Sequence, residues 1–386
     1  MSTPAAGPDG VRTPGDVAGP PARPRRLRLV LATGGAAASL LLAGCGPLGY
    51  YAQSVGGHLA ILHAARPVPE VLQDATLSEG LRRKLTLAQH IRRYASDRLA
   101  LPDNRSYTAY ADLHRAAAVW NVVAAPAYSL QLKTWCYPVA GCVGYRGYYH
   151  EAEAQAEAAR QRAEGLEAAV YPVPAYSTLG WLDWLGGDPL LSTFIGYPDG
   201  ELARIVFHEL AHQRFYVSGD TVFNESYATA VERLGGAQWL RDEADEPARE
   251  AYARFDQRRR QMQALMLATR EALAQVYASP AATGGDWARV ETMKQAAMRD
   301  FRERYARLRA AWPADGRQGA YDAWVARANN ATFGAHAAYD QLVPQFEHLF
   351  ARCGSDWPRF HAEVQRIGRL PTHEARVTAL ESATVP

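Results

Sequence analysis

Apolar residues return at helical spacing over most of the chain. Over 86–99 and again over 107–119 they recur every three to four positions with arginines between them, which predicts two surface helices. From Tyr128 the pattern changes: "YSLQLKTW" alternates apolar and polar residues and "CVGYRGYY" follows with glycines and aromatics, so strand and loop are expected there. Residues 152–164 are rich in Ala and Glu and predict a helix, whereas the prolines over 170–178 confine that stretch to an edge strand or an irregular extended segment. Asp199 is placed to cap a further helix, with Glu201 near its positive end and a stripe of Leu202, Ile205, Val206 and Leu210. Beyond Ser226, the stretches 247–278 and 287–312 predict long paired helices with solvated faces.

The first fifty residues break this pattern. A Pro/Gly/Ala-rich opening leads to Arg23, Arg25, Arg26 and Arg28 and then to an uncharged run over 29–44, the order of a secretory signal. That run is short beside the about 20 apolar residues of a spanning helix, although an uncleaved signal anchor is the alternative. It closes on Leu42-Ala43-Gly44-Cys45, which resembles the lipobox of bacterial lipoproteins, in which the cysteine is lipidated and becomes the mature N-terminus. Export leaves Cys136, Cys142 and Cys353 in an oxidising compartment. Pro138 and Gly141 allow the chain to turn so that Cys136 and Cys142 pair; a thiolate metal site lacks a matching second pair. The 42 basic and 40 acidic residues give a net charge of +2, which argues against nucleic-acid binding.

The candidate chemistry lies in "IVFHELAHQRFYVSGDTVFNESYATAVE". On a helix, His208 and His212 project from one face about one turn apart, so their nitrogens can share a metal ion. Glu209 stands beside them, within reach of a metal-activated water as its general base. HExxH also occurs by chance, and a histidine pair can be merely solvated. The context favours a site, because a turn at Ser218-Gly219-Asp220 returns the chain and Glu225 opens the next helix as a third ligand. Two His and one Glu leave an open position, the catalytic type of zinc site.

This stretch resembles the glutamate-ligated zincins, in which a glutamate on the helix after HExxH sits in an Asn-Glu-x-x-Ala element; His208, Glu209, His212, Asn224, Glu225 and Ala228 match it residue by residue. The connection between the two helices is shorter than in many of those enzymes. Over most of the chain the lipobox, "GYYAQSVGGHLAIL", "CYPVAGCVGYRGYY", "VPAYSTLGW", "HELAHQ", "DTVFNESYATAVE" and "NNATFGAHAAYDQLVPQF" together resemble a family of aminopeptidases among bacterial lipoproteins. The resemblance implies an α+β, predominantly helical fold with a zincin-like core, a small sheet and the HExxH helix. It implies a signal peptide over 1–45 and a single metallopeptidase domain over 46–386, with an N-terminal helical part (46–127), a catalytic core (128–240) and a C-terminal helical part (241–386).

The expected cofactor is one Zn2+ per chain, the expected partners a peptide substrate and a membrane reached through the lipid anchor. Gly46 lacks the aspartate that retains lipoproteins in the inner membrane, so the resemblance favours the outer membrane, facing the periplasm. A substrate would add to the edge strand, with Tyr176 a pocket candidate and Asn329 and Asn330 further binding candidates. Tyr145, Tyr148, Tyr227 and Tyr339 are candidate oxyanion donors, with Tyr339 preferred and Arg146 a cationic alternative. Asp220, Thr229 and Glu232 are placed to support the ligands, though Asp220 equally suits a helix cap. An amine anchor for an aminopeptidase would fall to Asp183 or Asp188, each also a plausible turn residue. The competing reading is a non-catalytic lipoprotein that keeps the scaffold to bind an envelope partner, against which an intact Glu209 argues.

Overall fold

The computed structural model describes residues 49–137, 141–175, 187–335 and 342–382. Gln53–Pro386 make one compact unit; of the other, Met1–Ala52, residues 49–52 are described and are helical. The stretch expected to be a signal peptide, with Cys45, and Tyr176, Asp183 and Tyr339, lie outside the described residues. The fold is predominantly helical with small sheets.

Helix α1 (Glu79–Leu99) is capped by Ser78, whose hydroxyl accepts the Leu81 amide at 3.3 Å, and it stops where Ala100 turns left-handed at φ 52°. Its buried Leu85, Ala88, Ile91, Ala95 and Leu99 enter the main core. The helix expected over 107–119 does not form. Tyr107 and His114 sit at φ 66° and 47°, outside the right-handed helical region, and between them runs β2 (Ala109–Ala111). It pairs antiparallel with β1 (Ala65–Pro67) and parallel with β8 (Leu190–Leu191), so strands from distant parts of the chain satisfy the backbone that a local helix would have used.

Strand β3 (Val119–Pro126) is the centre of a second sheet, with buried Val122, Val123, Ala124 and Ala125 in an unbroken apolar run. It pairs antiparallel with β6 (Arg146–Tyr148) and with β7 (Leu166–Val173), in the order β6-β3-β7. Thus β7 is an edge, in keeping with its Pro172. The alternation in "YSLQLKTW" does not make a strand: residues 127–134 are turn and loop, and only β4 (Trp135–Tyr137) pairs, with β5 (Gly141–Val143). Cys136 and Cys142 oppose each other in that pair and are joined in a disulfide, while Cys353 is a buried free thiol.

Helix α2 (Glu151–Ala163) packs on β3 and β7. Helices α3 (Asp199–Arg214) and α4 (Thr221–Asp242) pack closely on one another and contribute Leu202, Val206, Leu210, Phe223 and Val231 to the core shared with α1. The α3 cap is Pro198, not Asp199; the Asp199 carboxylate lies in the first turn and takes Lys84 at 2.5 Å and Arg83 at 3.0 Å. Helices α5 (Glu246–Tyr277) and α6 (Trp287–Ala311) pair through Met262, Leu265, Leu273, Met298 and Phe301. A short helix α7 (Asn330–Ala335) covers β3 and β7, and α8 (Val343–Arg352), α9 (Trp357–Gly368) and α10 (His373–Ser382) finish the core. Among the described residues no helix is long and apolar enough to cross a membrane.

Candidate metal centre

Helix α3 carries His208 and His212 on its face toward α4, which carries Glu225, with Glu209 the next residue round the helix from His208. The Nε2 atoms of His208 and His212 lie 3.1 Å apart, and Glu225 places one carboxylate oxygen 3.5 Å from His208 Nε2 and the other 3.7 Å from His212 Nε2. One donor atom from each of the three residues falls within 4.8 Å of the others, an arrangement able to hold a metal ion.

The short connection is held by Asn224. Its side chain donates to the Val217 carbonyl at 2.7 Å and accepts the Val217 amide at 2.8 Å, closing the turn that brings Glu225 back over α3. Gly219, at φ 79°, supplies the left-handed step in that turn. Asp220 then caps α4 by accepting the Phe223 amide at 3.1 Å. Its carboxylate also takes His373 at 3.0 Å and Arg376 at 2.8 Å, so it ties the C-terminal helix to this turn and is turned to those partners, not to His208 or His212.

Glu232, two turns beyond Glu225, is the carboxylate that reaches the other nitrogen of His208: it accepts His208 Nδ1–H at 3.0 Å and pairs through its other oxygen with Arg204. Arg204 is buried and also meets Glu201 at 3.2 Å, Tyr252 Oη at 3.1 Å and Asp256 at 3.6 Å, which links α3, α4 and α5 behind the centre. Arg204 was not singled out from sequence. It stands one turn before His208 on an otherwise apolar stretch, and that placement is the signal that could have found it.

The environment sets the charges. Burial pushes the Glu209 carboxyl up to about 7, the charge of His208 opposing and those of Glu225, Asp188 and Glu232 adding to it. Burial brings His212 down to about 4, and its Nδ1 has no hydrogen-bond partner among the described residues. For Glu232 burial works upward, but Arg204 and the hydrogen bond from His208 outweigh it and hold the carboxyl at about 2. Burial likewise disfavours a charged His208, yet hydrogen bonds to Glu225 and Glu232 raise it well above its ordinary value.

Over residues 49–380 the chain matches the family described as "Putative aminopeptidase". It belongs to that family. No curated protein and no solved structure matches it significantly. In this aminopeptidase-family chain the remaining expected residues fall as follows. Thr229 is buried in the wall of a cavity that His208 and Glu232 also line. Asn330 is not placed to touch a substrate: it is fully buried, its side chain donates to the Pro126 and Ala127 carbonyls at 3.2 and 2.7 Å, and it accepts Tyr277 Oη–H at 2.7 Å. That residue locks α7 to the end of β3. Asn329 caps the same helix through Thr332 and also donates to the Ala168 carbonyl on β7 at 3.3 Å, in the wall of a larger cavity of about 790 Å3 along that strand.

Of the oxyanion candidates, the buried Tyr148 hydroxyl donates to Glu157 at 3.0 Å and the buried Tyr227 is bonded to His361, so neither is directed at the centre. Arg146 lies 3.8 Å from Glu157. Two other tyrosines come closer. Tyr171 of β7 lies near enough to Glu225 for its charge to be felt, and the Tyr216 ring stands 6.2 Å from that of His212. Asp188 is buried, accepts from Gln213 at 3.1 Å, and makes itself felt at Glu209 through its charge.

Proposed function

We propose that this protein is a zinc-dependent peptidase of the glutamate-ligated zincin type, hydrolysing peptide bonds and acting as an aminopeptidase. The observation that carries the reading is the convergence of His208, His212 and Glu225. Ligand atoms bound tetrahedrally at about 2.0–2.1 Å stand roughly 3.3 Å from one another; the two histidine Nε2 atoms here are 3.1 Å apart, and the two oxygens of Glu225 stand 3.5 Å from one and 3.7 Å from the other. The donor chemistry also fits, because two imidazoles and one carboxylate suit zinc and leave a position open. Membership of the aminopeptidase family supports the same reaction class.

Zinc held there supplies Lewis acidity, lowering the pKa of a water toward neutrality and polarising a carbonyl. The residues of the chain do the rest. Glu209, whose carboxyl is raised by burial, takes the proton from the attacking water and passes it to the leaving nitrogen. Glu232 accepts the Nδ1–H of His208 and so leaves Nε2 as the nitrogen that would bind the metal in place of its proton, and Arg204 fixes Glu232. Among the described residues β7 is an edge of its sheet, and beyond Ala168, whose carbonyl Asn329 and Arg162 take, it offers its backbone to an extended peptide. Helix α2, edge strand β7 and helix α3 follow one another along the chain, which supports a zincin-type order, and we read 46–386 as a single domain of that type.

We further propose that residues 1–45 are a signal peptide, that Cys45 is lipidated, and that the protein faces the periplasm, anchored in the outer membrane. The deciding experiment combines metal analysis with turnover on the same purified variants. His208→Ala and Glu225→Ala should lose zinc. Glu209→Gln should keep zinc but lose roughly 10²–10⁴-fold in kcat, because the amide accepts no proton. A wild-type protein that binds no zinc, or a Glu209→Gln variant of near wild-type activity, would overturn the proposal.

A further inference from the structure

The cavity of about 790 Å3 along β7 follows the edge of that strand, because its walls come from both faces of the sheet. On one face, Arg146 and Tyr148 of β6 reach Glu157 of α2, the helix that contributes Arg162 to the cavity. On the other face Tyr171 packs with Ala331 of α7, and from that side come Asn329 and, from the short helix Asp322–Arg327, Arg327. A strand added to β7 would lie between these walls.

Antiparallel pairing sets which backbone groups of β7 are open. Alternate residues turn their N–H and C=O toward β3 and the others turn them outward. The Ala168 carbonyl points outward, since it accepts Arg162 Nη2 at 3.0 Å and Asn329 Nδ2 at 3.3 Å, so the next outward residue is Val170. Arg162 and Asn329 thus close the edge at Ala168 and leave Val170 to pair with a guest. At the other end Tyr171 lies near enough to Glu225 for its charge to be felt, so the open stretch leads from the candidate metal centre toward Arg162. Tyr171 and Ala168 are three residues apart, roughly 10 Å along the strand, which an extended peptide spans in about three residues.

Arg162 and Arg327 pair with no carboxylate among the described residues; Arg327 Nε donates to the Ala323 carbonyl of its own helix at 3.1 Å. Glu201, also in the wall, is held by Arg204 at 3.2 Å. We propose that the closed end of this cavity is a carboxylate-binding subsite, in which Arg162 and Arg327 take a carboxylate of the substrate two to three residues beyond the scissile bond, its free C-terminus in a short peptide. The inference rests on the peptidase reading and adds to it the substrate class. In an aminopeptidase the chain beyond the scissile bond leads to the C-terminus, and the arginine fork matches a carboxylate. A volume of about 790 Å3 takes a short extended segment and not a folded chain. An acidic side chain at the same place offers the same chemistry, and the test separates the two sources.

The test uses purified protein of measured zinc content and peptides with an N-terminal Leu and two or three residues beyond the scissile bond. Each is supplied as the free acid and as the C-terminal amide, and the amides also carry Glu or Gln at the second or third of those positions. For the wild type, kcat/KM should favour the free acid over the amide by about tenfold or more, chiefly through KM. Arg327→Gln and Arg162→Gln should each lower that ratio by about threefold or more, and Arg327→Lys, which keeps the charge, should retain most of it, with zinc content retained in all three. A preference for Glu over Gln among the amides, lost in the same variants, assigns the subsite to an acidic side chain as well. Equal kcat/KM for acid and amide and for Glu and Gln in the wild type, or preferences unchanged in both glutamine variants, overturns this inference and leaves the peptidase reading standing. Failure of the zinc-loaded wild type to cleave any peptide of the series overturns both.

Discussion

His361 should make the fold acid-sensitive, and the size of the effect follows from its surroundings. The imidazole is fully buried between α4 and α1: the Leu99 carbonyl can only accept, so Nε2 carries the proton and bonds to it at 2.9 Å, and Nδ1 accepts the Tyr227 hydroxyl at 2.8 Å. Both ring nitrogens are engaged in the neutral form. Burial lowers the pKa from 6.5 to about 4, outweighing the bond to Leu99, so in the folded protein the ring resists protonation that the unfolded chain accepts. The unfolded state therefore binds more protons, and stability is fully present above pH 6.5 and is lost as pH falls toward 4. At about 1.4 kcal/mol for each pH unit of that gap, the loss is about 3 kcal/mol at pH 4, approaches about 3.5 kcal/mol below it, and is about 2 kcal/mol between pH 7.5 and pH 5. His361→Gln can keep both hydrogen bonds and cannot titrate. Denaturant unfolding of wild type and variant at the two pH values should show the stability gap between them narrowing by about 2 kcal/mol at pH 5. Other titrating groups, the metal ligands included, are common to both proteins and cancel in the difference. An unchanged gap would refute the argument that the buried ring is held neutral.

Two further outcomes follow from particular residues. Asn224→Ala removes both hydrogen bonds that close the 217–224 turn and leaves the Val217 amide and carbonyl without them; stability should fall by about 1–3 kcal/mol, and zinc affinity should weaken because Glu225 is no longer aimed, as calorimetry and metal titration would show. Cys45→Ser in an exporting host should abolish acyl labelling if the lipobox is used, and labelling that persisted would remove the proposed anchor.

Much of the site was legible because it is local. HExxH is a pattern of one helix, and 3.6 residues per turn by itself puts His208 and His212 on one face. Glu225 was legible as well, since Gly219 and Asp220 mark a turn and Asn224 precedes it. The long helices α5 and α6 announced themselves by unbroken periodicity over many turns.

What failed was what depends on partners distant in sequence. The stretch 107–119 has helical spacing, yet its backbone is claimed by β1 and β8, from residues 65–67 and 190–191. Central strand β3 has no alternation to betray it, because Val122 to Ala125 are buried on both faces. Asn330 resembled a binding residue, but its amide is a clamp between α7 and β3. By itself the sequence determined which donors share one helix face and where the chain turns back, since bond geometry and turn chemistry act over a few residues. Only the tertiary structure decided that Glu232 and not Asp220 orients His208, that Arg204 stands behind Glu232, and that α5 closes a cavity against the centre, because burial and charge pairing arise only when separate helices meet.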